Sequence, residues 1–164
     1  MVINMELRIE KYINNLEESW DKFVLQESMN GTFLQTRKFI EYHPKDRFQD
    51  ASIVVYKGNT IVAVVLACET ESQGKHFISH QGTTFGGIII SPKFYGATNI
   101  DAMMTSLEEY WRSMNYHQVT LKMTAPVFCR MNTDLLDYFL YQRNFEQYDE
   151  LNYYMQLGRY QEDI

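Results

Sequence analysis

Two β-branched runs, residues 52–56 (SIVVY) and 60–68 (TIVAVVLAC), meet across Lys57-Gly58-Asn59. A connection this short, carrying a Gly-Asn pair, predicts an antiparallel hairpin. Upstream, Leu7-Arg8-Ile9-Glu10-Lys11-Tyr12-Ile13 alternates apolar and polar side chains and predicts a first strand with one wet face. A helix follows, with Asn15 as its cap, Glu18 as the capping-box partner, and Leu16, Trp20, Phe23 and Val24 on one apolar stripe. Met29-Asn30-Gly31 ends it. A second, short helix is capped by Thr36, turns Phe39 and Ile40 inward, and stops near His43 because Pro44 disfavours helical geometry before it.

Beyond the hairpin, residues 69–74 are polar, and the chain returns as strands at 76–80 and 87–91. A long helix comes next, capped by Thr98 with Asp101 at the box position, and Ile100, Met103, Met104, Leu107, Trp111 and Met114 share one face. Residues 118–124 predict another strand, broken by Pro126. The last helix, 134–143, buries Leu135, Leu136, Phe139 and Leu140 and ends at Asn144, a residue suited to a left-handed cap. Residues 145–157 then supply a final strand. Early strands are linked by turns and late ones alternate with helices. The fold class expected is α/β in the α+β sense, three layers with a central mixed, mostly antiparallel sheet of about six to seven strands and helices on both faces.

At 164 residues the chain is expected to form one domain over residues 1–160, with 161–164 as a frayed tail. Its 45% apolar and 15% aromatic residues argue against disorder. A net charge of −6 gives no overall footprint for nucleic acid or an anionic membrane, and no aromatic residues interleave with a basic stripe, so DNA is not an expected partner. Cys68 and Cys129 lack the number and spacing of a disulfide or zinc framework, and the four histidines are scattered, so no metal is expected. There is no apolar leader and no run of 18 uncharged apolar residues, so the expectation is a soluble, cytoplasmic protein without a membrane span.

Chemistry concentrates in Ile78 to Ser91, ISHQGTTFGGIIIS. Ser79, His80, Gln81, Gly82, Thr83 and Thr84 place an imidazole, an amide and three hydroxyls between two apolar runs. Gly82, Gly86 and Gly87 let a ligand approach closely, and the loop feeds into a strand rigid enough to hold polar groups. The same residues can also satisfy only their own turn.

The order of elements resembles the GNAT acyltransferase fold. Within it, the sequence is similar to one domain of the Fem-type acyl and aminoacyl transferases of cell-wall and surface-polysaccharide biosynthesis. The residues that carry this are Asn30-Gly31-Thr32-Phe33-Leu34-Gln35-Thr36 with Phe39 and Tyr42-His43, then Ser79-His80-Gln81-Gly82-Thr83-Thr84-Phe85-Gly86-Gly87, and Phe145 with Tyr148, Glu150, Tyr153 and Tyr154. The resemblance implies N-acyl transfer to an amine of a surface-glycan or peptidoglycan precursor, with acetyl-CoA or another acyl-CoA as donor. It also implies a small-molecule or nucleotide-sugar substrate, and a homodimer or second GNAT-like domain as partner, since Fem-type proteins resemble two such domains in tandem. The alternative is a non-catalytic domain of the same shape that binds substrate or a partner chain.

GNAT enzymes typically hold the donor pyrophosphate with an Arg/Gln-x-x-Gly-x-Gly/Ala loop, where this chain has Ser91-Pro92-Lys93-Phe94-Tyr95-Gly96-Ala97-Thr98. Backbone amides at a helix start can still receive a phosphate, so Lys93, Tyr95, Gly96, Ala97 and Thr98 are the candidate donor-binding residues, with Asp101 as a repelling charge. Acyl transfer needs a neutral amine and a polarised carbonyl held in reach. His80 and Glu69 are the candidate catalytic residues, each with an ordinary loop or strand-end role as its alternative. Gln81, Thr83 and Thr84 can bond a carbonyl or sugar hydroxyls. Tyr42 and Phe85 offer rings to stack on a sugar or adenine, and Lys122 can meet a phosphate or carboxylate if its strand face opens into a cleft.

Overall fold

A computed structural model describes residues 6–71, 74–151 and 153. In chain order the strands are β1 (Leu7–Lys11), β2 (Gln49–Asp50), β3 (Ile53–Lys57), β4 (Thr60–Val65), β5 (Cys68–Thr70), β6 (His76–Ser79), β7 (Ile88–Ile90) and β8 (Gln118–Leu121). The helices are α1 (Glu17–Lys22), continued by a π-helical turn at Phe23–Glu27, then α2 (Arg37–Ile40), α3 (Ala97–Ser113) and α4 (Asp134–Gln142). Among the described residues the strands form two four-stranded sheets, in the orders β1-β3-β4-β7 and β2-β5-β6-β8, and only β6 and β8 pair in parallel.

The α+β class and the helices on both faces are present, but the single expected sheet is divided in two. The hairpin runs through both sheets, and the expected strand 60–68 is interrupted at Leu66-Ala67. There Ser52 takes over from the ladder: its Oγ donates to Ala67 O (3.2 Å) and accepts from Ala67 N–H (3.1 Å). Ala51 N–H also donates to Ala67 O. A side-chain hydroxyl competing with backbone partners is what breaks the strand.

Alternation along the strands separates two cores. Ile53, Val55, Ala63, Val65, Ile88 and Ile90 pack with the α3 face made by Ile100, Met103, Met104, Leu107 and Trp111. Val54, Tyr56, Val64, Leu66 and Ile89 pack with Trp20, Phe23 and Val24 of α1 and its π-helical turn. Each fully buried side chain of this size contributes about 1.5–3 kcal/mol, so the sheet is fixed from both sides.

The helix caps depart from expectation. No side chain caps α1: a 3-10 turn at Asn14–Leu16 precedes it and Leu16 occupies the cap position, so Asn15 and Glu18 form no box. Thr36 caps α2 as expected, accepting from Phe39 N–H. The capping box lies one turn earlier, where Thr32 and Gln35 bond reciprocally. Neither Thr98 nor Asp101 caps α3, which begins at Ala97 after an extended Gly96. Asn144 adopts the left-handed conformation expected of it, with φ 59°. The expected strand 145–157 is not formed over residues 145–151, where Tyr148 and Leu151 are exposed, and its remainder falls mostly outside the described residues, as does the tail 161–164.

Candidate functional site

β6 and β7 are two halves of one line through the molecule, since β6 pairs with β5 and β7 with β4, the two halves of the same hairpin arm. Residues 80–87 bulge out between them. Ser79 fixes the bulge at its base: its buried Oγ accepts from Gly87 N–H (3.0 Å) and Lys122 N–H (2.8 Å), while Gly86 N–H donates to Lys122 O. Gly87 has φ 66°, and a Cβ there would lie 2.9 Å from Met123 Cα, so no other residue closes the bulge this tightly.

His80 follows β6 directly and is only 2% exposed. Its Nδ1 accepts from Gly82 N–H at 2.9 Å, so in the neutral ring the proton sits on Nε2. Burial pushes its pKa down to about 4; the Asp50 charge opposes that shift, and Arg37 and His43 reinforce it. The ring is therefore a neutral hydrogen-bond donor near pH 7. Phe48 meets it edge to face (4.9 Å) and also meets His43 (5.2 Å), whose Nε2 bonds Gly82 O at 2.8 Å and ties the end of α2 to the loop. Tyr42, 85% exposed, stands edge-on to His43 at the outer end of this row.

Within the loop, Thr83 uses its hydroxyl on Phe85 O (2.9 Å) and its N–H on His80 O (3.2 Å). Gln81 and Thr84 are exposed, whereas Phe85 is buried and stacks on Phe128 (5.6 Å, 29°). Lys122 is half-buried just beyond β8, between Thr120 and Thr124 in sequence. On either side of it, Thr120 Oγ1 bonds His76 Nε2 and Thr124 Oγ1 accepts from Gln35.

Beneath that row lies a group that sequence reasoning missed. Arg37 donates to Ser52 Oγ (2.9 Å) and Asp50 Oδ2 (2.5 Å), and its guanidinium lies 3.7 Å from the Tyr12 ring centroid. Burial raises the Asp50 carboxyl, but Arg37 and the Ser52 hydrogen bonds outweigh it and hold the pKa below the ordinary value. Arg37 follows the Thr36 cap, and nothing in that local pattern announced a buried cation.

Glu69 lies on the other face, beside Phe77 in the register of β5 and β6. Its carboxylate accepts from Tyr116 (2.5 Å) and Gln49 (2.5 Å) and pairs with Lys75 (3.2 Å). Burial would raise its pKa, yet the Tyr116 and Lys75 interactions prevail and keep it low. His80 and Glu69 share no partner, so the two candidate catalytic residues do not form a pair, and the lone pairs of Glu69 are already engaged.

At the far end of β7, residues 91–96 lead into α3. Lys93, Ala97 and Thr98 are exposed, a Cβ on Gly96 would meet nothing within 4 Å, and the first helical bond runs from Ile100 N–H to Gly96 O. Tyr95 is turned away, its hydroxyl accepting from Leu135 N–H of α4. Asp101 pairs with Arg143 (2.6 Å), which offsets the repulsion expected of it.

Along β7 the outer edge is already engaged. The outer edge of the strand is filled by the chain itself: Asn30 donates from Nδ2 to Ile88 O (2.8 Å) and accepts at Oδ1 from Ile90 N–H (2.9 Å), while Met29 N–H donates to Ile90 O (2.9 Å). Arg130 N–H donates to Met29 O on the other side, and Gln35 links Thr124 Oγ1 to Gly86 O. Among the described residues no group of three or more His, Cys, Asp or Glu could hold a metal ion. Nor is any described helix long and apolar enough to cross a membrane.

The order of strands and helices is one found in solved structures, GNAT acetyltransferases among them. Three solved structures share it: a GNAT family acetyltransferase from Staphylococcus aureus (13% identity, TM-score 0.51, 93% of this chain and 100% of that one), an aminoglycoside N-acetyltransferase in complex with CoA (11%, 0.52, 96% and 99%), and a transcriptional regulator from Bacillus halodurans (14%, 0.55, 92% and 100%). At these identities the likeness shows the fold and not the reaction. No protein-family model and no curated protein matches the sequence.

Proposed function

We propose that the chain is an N-acyltransferase that modifies an amine on a surface-glycan or peptidoglycan precursor. The observation that carries this reading is the unbroken line from the polar bulge 80–87 through β7 to the open start of α3, in a fold shared with N-acetyltransferases. The start of α3, with Lys93, Gly96, Ala97 and Thr98, receives the phosphates of an acyl-CoA donor, and Tyr95 braces that loop against α4. At the other end Gln81, Thr83 and Thr84 bond acceptor hydroxyls, with Tyr42 as an aromatic wall and Lys122 for an acidic group, while Phe85 holds the loop from beneath through its stack on Phe128. His80 offers Nε2–H to a carbonyl oxygen that gains negative charge, a role that suits a ring kept neutral. No described carboxylate stands beside it free to take a proton, so the acceptor amine is best supplied unprotonated from solution.

A specific observation also favours a second reading, a non-catalytic domain that binds a nucleotide-sugar substrate, a second GNAT-like domain or another copy of the chain. That observation is the occupied edge of β7. Thiol release from acetyl-CoA, measured across amino-sugar and amino-sugar nucleotide acceptors, separates the two. Transfer to at least one acceptor, reduced about tenfold or more in Thr83→Ala, is the expected result. Substrate binding with no transfer to any acceptor supports the binding domain instead.

A further inference from the structure

Asn30 is a polar residue buried to 1% exposure, and its carboxamide acts as a piece of strand. It offers Ile88 O a donor and Ile90 N–H an acceptor, the pair of bonds that an amide in a neighbouring strand would make. Met29 adds the third bond, to Ile90 O. The segment is held from behind, because Arg130 bonds Ser28 O from Nη1 (3.0 Å) and Leu25 O from Nη2 (2.5 Å). It is also held from within: Gly31 N–H donates to Ser28 Oγ, and a Cβ on Gly31 would lie 2.4 Å from both Ser28 Oγ and Val24 O. The Ile88 carbonyl and both backbone groups of Ile90 are thereby engaged and closed to a ligand that extends the sheet.

We infer that Asn30 is an internal seal on the outer edge of β7, which an extended, amide-bearing ligand must displace before it can lie between the bulge and α3. Where the donor would lie rests on the acyltransferase reading above; the seal itself does not. A ligand gains from this edge only what its own amides form in excess of the bonds Asn30 gives up, which makes binding to the sealed chain weak.

Two variants test it. Asn30→Ala removes both side-chain bonds. Asn30→Asp keeps the shape and the acceptor but sets a carboxylate oxygen against Ile88 O, and it serves alone if Asn30→Ala does not fold. Hydrogen exchange is read at the Ile90 amide, with the Ser91 amide, bonded to Val62 O of β4, as internal control. Acetyl-CoA is titrated by calorimetry into the wild type and both variants. The expected result is exchange at Ile90 at least about tenfold faster with Ser91 unchanged, and acetyl-CoA affinity on the order of tenfold higher in the variants. Unchanged exchange at Ile90 overturns the seal, as does wild-type affinity equal to that of variants whose Ile90 has been released. Released exchange with no acetyl-CoA binding by any of the three proteins keeps the seal and removes the donor reading.

Discussion

His80 shows how a residue picked for its neighbours can take its character from burial. The glycine-flanked polar loop pointed to it, but the loop pattern could not reveal that Phe48, 32 positions upstream, packs on the ring or that Gly82 N–H claims Nδ1. Its protonation gives a signed prediction. The ring has a pKa of about 4 when folded and about 6.5 when unfolded, so between those values the unfolded chain binds the extra proton and stability falls with the pH. The contribution is intact above about pH 6.5 and reaches a loss of roughly 3 kcal/mol near pH 4. Urea denaturation at pH 7 and pH 4.5 should show this drop in the wild type and a smaller one in His80→Gln. An equal drop in both proteins would assign the acid sensitivity elsewhere. Glu69 was misleading for the complementary reason: a strand-end glutamate reads as solvated, and only the fold brings Tyr116, Lys75 and Gln49 around it.

Elements were legible where the signal was local. The hairpin around Gly58, the α3 face, the stop of α2 before Pro44 and the left-handed Asn144 all follow from short-range rules. Boundaries set by distant partners were not legible. Ser52 breaks two strands because it reaches Ala67, and Asn30-Gly31, which read as a helix terminator, becomes a stand-in strand because Ile88 and Ile90 lie opposite it. Gly31 is the test at this scale. A methyl group there meets Ser28 Oγ and Val24 O, so Gly31→Ala should cost roughly 1–3 kcal/mol, measured by chemical denaturation, and loosen the segment it closes. A variant as stable as the wild type would mean that the segment is less tightly packed than its contacts imply.

At the scale of the whole molecule, element order carried more information than any motif. The order of strands and helices led to the GNAT fold, which solved structures at 11–14% identity share, although the phosphate-loop pattern typical of that fold is missing from residues 91–98. What the order could not convey is the relation between the two ends of the candidate site, because that depends on which segment fills the gap beside β7. The most direct test of the account is a two-dimensional amide spectrum of the chain titrated with acetyl-CoA to millimolar concentration. A donor along β7 predicts saturable shifts confined to the bulge at residues 82–87, to β7 with residues 29–31 on its outer edge, and to residues 93–98 at the start of α3. Shifts that cluster elsewhere, or none at all, would contradict a donor path along β7.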